Sequence, residues 1–413
     1  MKITIALILF FIPFNSQAEF SGQIHTDSIQ YAQDAKPVTQ IQAEFNWKKD
    51  RNIEFHLRSW TESGSLGDKS FDLDPAVLRW FSSASHLWIG RTHPILETGL
   101  TSTQSTSLLA TDAIGTLWVQ NQSDALSPRV SGWIGAGGSI SILNDRIFFT
   151  GAYSPIFLPS SGSRLTLSKT NAATGSRFAR IPPQFVRINE STVLPLRYEL
   201  APVDIKEVML QNQIFGSIAY LSPIGKWEGL AWTAPNPNPE LDLSSTVRVS
   251  RENADVLVVP HAHFLRHGFY GLRWSFENML DAEAIHDWTI PSTTLSARLA
   301  LGLTTSLFLQ TGCLQELRDK QSEMIQSASY SDQLYWLQLR HLFFNARLTA
   351  ELRWEQHLKT SASGSWLKPT LTYETFKNLW IVATASLLTG EDHSYFGTWR
   401  HLDSTQVGVL FLW

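Results

Sequence analysis

The sequence contains a single cysteine, Cys313, among its 413 residues. One thiol excludes an intramolecular disulfide framework and any metal site built from several thiolates. The formal net charge is −4 and the pI is about 6.3, so the charge balance gives no reason to expect nucleic acid as a partner. After the first eighteen residues no run of eighteen apolar residues occurs, which excludes a helix that spans a bilayer.

The amino-terminal segment has the features of a cleaved signal sequence. Met1 to Ala18 contains one lysine, an apolar run from Ile3 to Phe14, and small residues at the end of the segment. A signal peptidase reads such small residues before the cleavage point. We therefore expect residues 1–18 to be a signal peptide, Glu19 to be the first mature residue, and the protein to leave the cytoplasm.

Aromatic residues are abundant, and apolar residues alternate with polar ones through much of the chain. There are 16 Trp, 23 Phe and 9 Tyr. From Ala346 to Glu355, for example, one face of an extended strand carries Ala, Leu, Ala, Leu and Trp, and the other carries Arg, Thr, Glu, Arg and Glu. A period of two predicts β-strands with one apolar and one polar face. Both a soluble sandwich and a membrane barrel have such strands.

Segment length and the connections between segments favour the barrel. Many segments reach ten or more residues, about the 9–11 that cross a bilayer at a tilt. Tight connections alternate with long ones at 93–130, 156–205 and 235–254, which is typical of bacterial outer-membrane barrels. We predict an all-β, transmembrane, antiparallel up-and-down barrel over residues 19–413 with about eighteen strands. Sixteen strands is the alternative, because the pair at 73–92 is short and Ile114 to Gln120 could itself form a strand. The eighteen strands are predicted near 19–30, 38–48, 52–62, 73–82, 85–92, 131–143, 146–155, 206–221, 225–234, 255–265, 268–279, 292–304, 305–317, 332–343, 346–358, 365–376, 379–390 and 402–413.

The carboxy terminus ends on an aromatic strand. In Thr405 to Trp413 one face carries Thr405, Val407, Val409, Phe411 and Trp413. With this terminus and the strand pattern, the sequence resembles the Gram-negative outer-membrane porins, and most closely the eighteen-stranded substrate-selective porins and alginate-export barrels. The segment Trp88-Ile89-Gly90-Arg91 is similar to a strand common in such porins. The resemblance implies that Phe411 and Trp413 form the signal that the barrel-assembly machinery reads.

Charged residues on the polar faces are expected to line the interior of the barrel, because a charge facing lipid at mid-depth costs about 2–4 kcal/mol. They form either mutual pairs across neighbouring strands or a ladder that selects solutes. The predicted lumen wall comprises Arg58, Arg273, Arg298, Arg340, Arg347, Arg353, Lys368, Glu351 and Glu355.

The connection 156–205 is long enough to suggest a function. It has six basic residues against three acidic ones, and Pro182, Pro183 and Pro195 prevent a continuous helix. We predict that it enters the lumen and constricts the pore, the alternative being an ordinary external loop. The predicted constriction residues are Arg164, Lys169, Arg177, Arg180, Arg187 and Arg197.

These features favour a channel for diffusion of small hydrophilic solutes, with a preference for anions. The alternatives are a barrel enzyme of the phospholipase or protease type, and a barrel for polymer export or adhesion. No nucleophile signature stands out among the serines, so no catalytic residue is assigned. His261 and His263 share a strand face but have no identifiable third ligand, so no metal or other cofactor is predicted. The expected partners are outer-membrane lipid, lipopolysaccharide, the barrel-assembly machinery and small solutes, and the expected location is the outer membrane.

Overall fold

The computed structural model is almost entirely β-structure. It describes residues 18–32, 37–49, 52–63, 69–92, 133–157, 165–167, 172–174, 185–187, 192–199, 205–235, 240–249, 254–277, 279–289, 291–318, 333–359, 362–391 and 403–413. The first twelve strands are β1 (Ala18–Tyr31), β2 (Val38–Lys49), β3 (Ile53–Ser63), β4 (Lys69–Phe81), β5 (Ser85–Thr92), β6 (Trp133–Ile142), β7 (Ile147–Ile156), β8 (Leu165–Leu167), β9 (Ala172–Thr174), β10 (Phe185–Arg187), β11 (Val193–Tyr198) and β12 (Gln213–Ser222). The remaining strands are β13 (Gly225–Pro235), β14 (Glu240–Val249), β15 (Ala254–His263), β16 (Arg266–Phe276), β17 (Leu280–Asp287), β18 (Ser292–Gly302), β19 (Leu307–Arg318), β20 (Gln333–Phe343), β21 (Leu348–Lys359), β22 (Ala362–Phe376), β23 (Leu379–Gly390) and β24 (Ser404–Leu412). One short helix, α1 (Ile205–Met209), precedes β12.

Eighteen of these strands form one closed antiparallel barrel, as predicted. Neighbours along the chain pair with each other, and β1 pairs with both β2 and β24, so the sheet has no free edge. Closure matters because an open sheet edge would leave backbone groups without hydrogen-bond partners. At the closing seam, the backbone N–H and C=O of Gly22 exchange hydrogen bonds of 3.2 and 3.1 Å with Trp413.

The strand count is right, although one predicted strand is wrong and one was missed. The segment 255–265 was predicted to cross the barrel, but β15 lies in a separate four-stranded sheet with β10, β11 and β14. In its place β17 joins the barrel between β16 and β18, although its residues had been assigned to a connection. The short connection that this prediction places between 255–265 and 268–279, at Arg266 and His267, is also wrong, because both residues lie in β16 and the turn follows Phe276.

The eight connections at one end of the barrel, which we call the short-turn end, are all tight. They connect the pairs β2–β3, β4–β5, β6–β7, β12–β13, β16–β17, β18–β19, β20–β21 and β22–β23. The connections at the opposite end are mostly longer, and in the part of the chain that the structure describes two of them carry structure of their own. The segment 156–205, expected to lack secondary structure, contains β8 to β11 and the start of α1, and the segment 235–254 contains β14. The predicted strand 206–221 begins only at Gln213, because α1 precedes it.

The outer surface of the barrel is apolar, with aromatic rings concentrated near the short-turn end. Ring centroids are 6.0 Å apart for Phe20 and Phe45, and also for Trp227 and Trp274. Between the ends, aliphatic side chains such as Ile218 and Leu272 are exposed. Such a surface suits the hydrocarbon of a bilayer. Among the described residues, no helix has the length and apolarity required to cross a membrane.

Candidate functional site

The interior of the barrel holds the charged side chains, so it is the candidate site. Period-two alternation sends every second residue of each barrel strand inward, and strand register then decides which inward residues meet. On β18, for example, Thr294, Ser296 and Arg298 are buried inside, whereas Leu295 between them is exposed outside. The inner wall divides into sectors of different chemistry.

The sector formed by β16, β17 and β18 is a ladder of ion pairs. Asp281, Glu283 and Asp287 on β17 face inward and are buried. Arg298 on β18 donates from Nε to Asp281 Oδ2 at 2.7 Å, and Arg273 Nε on β16 lies 3.6 Å from Glu283 Oε2. Arg273 and Arg298 therefore lie on the inner face of their strands, each beside a carboxylate.

Next along the ladder, His267 Nδ1 on β16 lies 2.6 Å from Asp287 Oδ2. Sequence reasoning missed the three carboxylates because it had assigned their strand to a connection. The signal that could have found them is the alternation of Leu280 to Asp287 itself, in which acidic residues occupy one face.

A second charged cluster, the Trp–Arg cluster, lies on β20, β21 and β22. It comprises Trp336, Arg353, Glu355, Trp366 and Lys368, all on inward positions. Arg353 contacts Glu355 Oε1 through Nη2 at 2.6 Å, and its Cζ lies 5.8 and 5.9 Å from the ring centroids of Trp336 and Trp366. Lys368 Nζ lies 5.5 Å from the Trp366 ring. Within this cluster two cations face one carboxylate, and aromatic rings offer them cation–π contact.

A third polar group lies on β1, β2 and β3. Glu44 accepts a hydrogen bond from Gln23 Nε2 at 2.7 Å and lies 3.0 Å from His56 Nε2. His25 Nε2 and Asp27 Oδ1 are 3.0 Å apart on the inner face of β1, and both side chains are buried. Gly408 on β24 makes room for this pair, because a Cβ there would meet Asp27 Oδ1 at 2.0 Å.

The sector from β4 to β17 also contains an apolar cluster, which the sequence did not predict. Its buried members face the interior of the barrel and not the outside. They are Val77, Trp88, Trp133, Ala152, Phe215, Leu230, Trp232, Ala234 and Ile285. The period-two pattern alone could not identify these residues. It separates the two faces of a strand, but it does not show that an inward-facing position is apolar.

Solvent reaches the inner wall mainly at the short-turn end. On β2 the inward side chains pass from buried Val38 and Gln40, near the opposite end, to Glu44 at 16% exposure and exposed Lys48. An eighteen-stranded wall is too wide for its own side chains to fill. The described residues of the inner face are nevertheless buried away from the short-turn end.

The other predicted lumen-wall residues are mostly on the inner face. Arg58 is opposite Glu44 in the β2–β3 register, at a bulge. Arg340 is opposite Glu351, close to the short-turn end. Arg347 is the exception: it is exposed in the tight turn that follows Phe343 and does not lie on a strand. Arg347 is therefore not part of the inner wall, because it belongs to the turn and β21 begins only at Leu348.

Two of the predicted constriction residues are described. Arg187 is exposed at the end of β10. Arg197 on β11 is 53% exposed, and its Nε lies 2.7 Å from Asp255 Oδ2 on β15. Because β11 pairs in parallel with β15, this contact joins the connection between β7 and β12 to the connection between β13 and β16. The other four, Arg164, Lys169, Arg177 and Arg180, lie outside the described residues.

Phe411 and Trp413 face outward at the short-turn end, with ring centroids 6.1 Å apart. The Trp413 ring lies across Gly22 on β1, where a Cβ would meet the ring at 2.3 Å. The last residue of the sequence therefore packs over the closing seam.

The described residues show no metal-binding arrangement. They contain no group of three or more His, Cys, Asp or Glu side chains able to hold an ion. His261 lies in β15, where its Nε2 is 3.4 Å from Ser244 Oγ, and His263 ends the same strand.

Comparison with known proteins supports the fold. No protein-family model matches the chain, and no curated protein matches its sequence. The solved structure of OccK2 from Pseudomonas aeruginosa, in complex with glucuronate, is similar with a TM-score of 0.50 and 10% identity, covering 97% of this chain and 98% of that one. OccAB4 of Acinetobacter baumannii has a TM-score of 0.49 and 8% identity over 96% of this chain and 98% of its own. The chain has the fold of the eighteen-stranded outer-membrane porins.

Proposed function

We propose that this protein is an outer-membrane channel through which small hydrophilic solutes diffuse. One observation carries the proposal: a closed eighteen-stranded barrel has an apolar outer face and charged side chains inside. A wall of this size surrounds a space that water and solutes can occupy. The predicted signal peptide, residues 1–18, would bring the chain to the periplasm, from which the barrel-assembly machinery would insert it among lipid and lipopolysaccharide.

We further propose that the channel prefers anions. In the Trp–Arg cluster, two cations face one carboxylate. The connection 156–205 adds an excess of basic residues. A fixed charge acts more strongly on passing ions in a narrow passage than on an open surface. The burial of the inner wall away from the short-turn end supports a constriction at that level, where the long connections begin.

Channel activity is tested by single-channel recording in a planar bilayer. With a salt gradient across the membrane, the reversal potential should have the sign of anion preference. Replacing Arg177, Arg180 and Arg187 together with Gln should move the reversal potential towards zero, because three positive charges leave the proposed constriction. Arg266→Gln is the control, because Arg266 is exposed on β16, hydrogen-bonds to Thr233 Oγ1 on the outer face and should not affect selectivity.

Glucuronate is the first organic anion to test, because OccK2 was solved with it. Glucuronate added on one side should interrupt the current of the wild-type channel more often than that of the triple variant. A barrel that inserts but conducts no ions would contradict the channel proposal. A reversal potential equal in the wild type and the triple variant would contradict the role of the connection 156–205 alone.

A further inference from the structure

Two tight turns, nearly opposite each other on the barrel rim, share an unusual design. The turn between β6 and β7 reads Leu143-Asn144-Asp145-Arg146, and that between β20 and β21 reads Phe344-Asn345-Ala346-Arg347. In each turn the first three residues have positive φ, between 52° and 67°. Following the strand order, β20 is eight strands beyond β6 in a barrel of eighteen.

The first residue of each turn is a bulky apolar residue in a strained conformation. Leu143 has φ of 53° and Phe344 has φ of 52°, a region that glycine and asparagine adopt much more easily. Contacts within the chain do not explain the choice, because the two side chains are 67% and 74% exposed. Burial of these side chains does not offset the backbone strain, so their role is a contact with a partner outside the chain.

Neighbouring turns on the same rim also expose apolar side chains. Ile224 between β12 and β13, Leu303 between β18 and β19, and Phe376 at the end of β22 are 66%, 51% and 72% exposed. Exposed apolar residues grouped in this way mark an interaction surface. This surface continues the lipid-facing band of the barrel, because the Phe344 ring is 6.5 Å from that of outward-facing Phe343.

Three of these turns also carry an exposed cation. Arg146 and Arg347 close the two matched turns, and Lys377 directly follows Phe376. A cation beside an exposed aromatic or aliphatic side chain is the combination that anchors proteins at a membrane surface, where the apolar group enters the acyl boundary and the cation meets phosphate. By contrast, the turn between β4 and β5 is polar, with exposed Ser82 and Ser83.

We propose that the short-turn rim is a phospholipid-binding edge, in which Leu143, Phe344 and Phe376 insert into the leaflet while Arg146, Arg347 and Lys377 bind lipid phosphates. The inference rests on the membrane location given under the proposed function. It adds that these turns are immersed in the leaflet and do not project into water, so that two nearly opposite points of the rim hold the barrel at a fixed depth.

The test places an environment-sensitive fluorescent label at single cysteines. In a Cys313→Ser background, Leu143→Cys and Phe344→Cys are labelled, and Ser83→Cys in the polar turn is the matched control. The full barrel is folded into vesicles of phosphatidylethanolamine and phosphatidylglycerol. Quenching is measured with iodide on both sides of the membrane and, separately, with lipids brominated near the headgroup.

Labels at 143 and 344 should be quenched by brominated lipid and be several-fold less sensitive to iodide than the label at 83. Iodide quenching at 344 equal to that at 83 would overturn the inference. So would protection from iodide without quenching by brominated lipid, because another copy of the chain would then cover the turn. Conductance of the same samples separates the two proposals, since a conducting barrel with iodide-accessible turns refutes only the lipid-binding edge.

A second variant covers the case in which the cysteine substitutions prevent folding. In L143N/F344N, asparagine suits the positive φ, so the barrel should fold in detergent at least as well as the wild type. Its insertion into phospholipid vesicles should be several-fold slower, because the two apolar anchors are gone. Equal insertion rates for the variant and the wild type would contradict the proposal.

Discussion

Replacing Asp281 with Asn should destabilise the barrel strongly. Asp281 accepts a hydrogen bond of 2.7 Å from Arg298 Nε, and both side chains are buried on the inner wall. Asparagine has nearly the same shape but no charge, so the variant leaves the Arg298 guanidinium buried beside a neutral amide. The change therefore tests an electrostatic contact without creating a cavity.

The magnitude follows from the separation of the charges. At 2.7 Å and an effective dielectric constant of about 20, the gross attraction is about 6 kcal/mol. The cost of burying both charges offsets part of this attraction, and removal of one partner from a buried pair typically costs about 3–5 kcal/mol. We expect a loss in that range for D281N. The double variant D281N/R298Q should recover most of it, because neither position then carries a buried charge.

The assay is a denaturant titration of the barrel in phospholipid vesicles, followed by tryptophan fluorescence and by heat-modifiable mobility in gels. Free energies of unfolding for the two single variants and the double variant form a double-mutant cycle. Glu207→Gln is the control, because Glu207 is exposed on α1 and should change stability by less than about 0.5 kcal/mol. If D281N matched the wild type to within about 1 kcal/mol, or the double variant were no more stable than D281N, the pair would not contribute as argued.

Three further predictions concern the seam, the outer face and the mature terminus. Trp413→Asp should lower the amount of heat-modifiable, membrane-inserted barrel without changing single-channel conductance. Gly22→Val should have the same effect, because a Cβ at position 22 would meet the Trp413 ring at 2.3 Å. Normal insertion of both variants would contradict a role of this contact in closure. Cys313 faces outward and is exposed, so a lipid-soluble maleimide should label it in vesicles far faster than a charged, water-soluble one, whereas equal rates would place it in water. Amino-terminal sequencing of protein from the outer membrane should begin at Glu19, and a chain that retains Met1 would refute the predicted cleavage.

The sequence by itself determined the architecture. A period of two, segments long enough to cross a bilayer and alternating short and long connections are local properties, so they could be read without knowing what any strand contacts. They predicted the closed barrel and all but one of its tight turns. The eighteen-strand count was correct even though one strand was exchanged for another.

That exchange shows where sequence reasoning reached its limit. The segment 255–265, with the apolar run Val256 to Val259, was predicted as a strand of the barrel, whereas Leu280 to Asp287, which carries three acidic residues on one face, was assigned to a connection. In the fold, Arg298, Arg273 and His267 from the two neighbouring strands lie beside those acids. This compensation of the acidic charges depends on residues that come together only through strand pairing. The composition of the segment alone therefore did not predict that it forms a barrel strand.

Only the tertiary structure decided the chemistry of the interior. The apolar cluster around Trp88 and Phe215, and the placement of Arg353 between two tryptophan rings, result from side chains of several strands meeting across the wall. Alternation fixes which way a side chain points, because the backbone repeats every two residues. It does not fix what the side chain meets, because that depends on the register between strands.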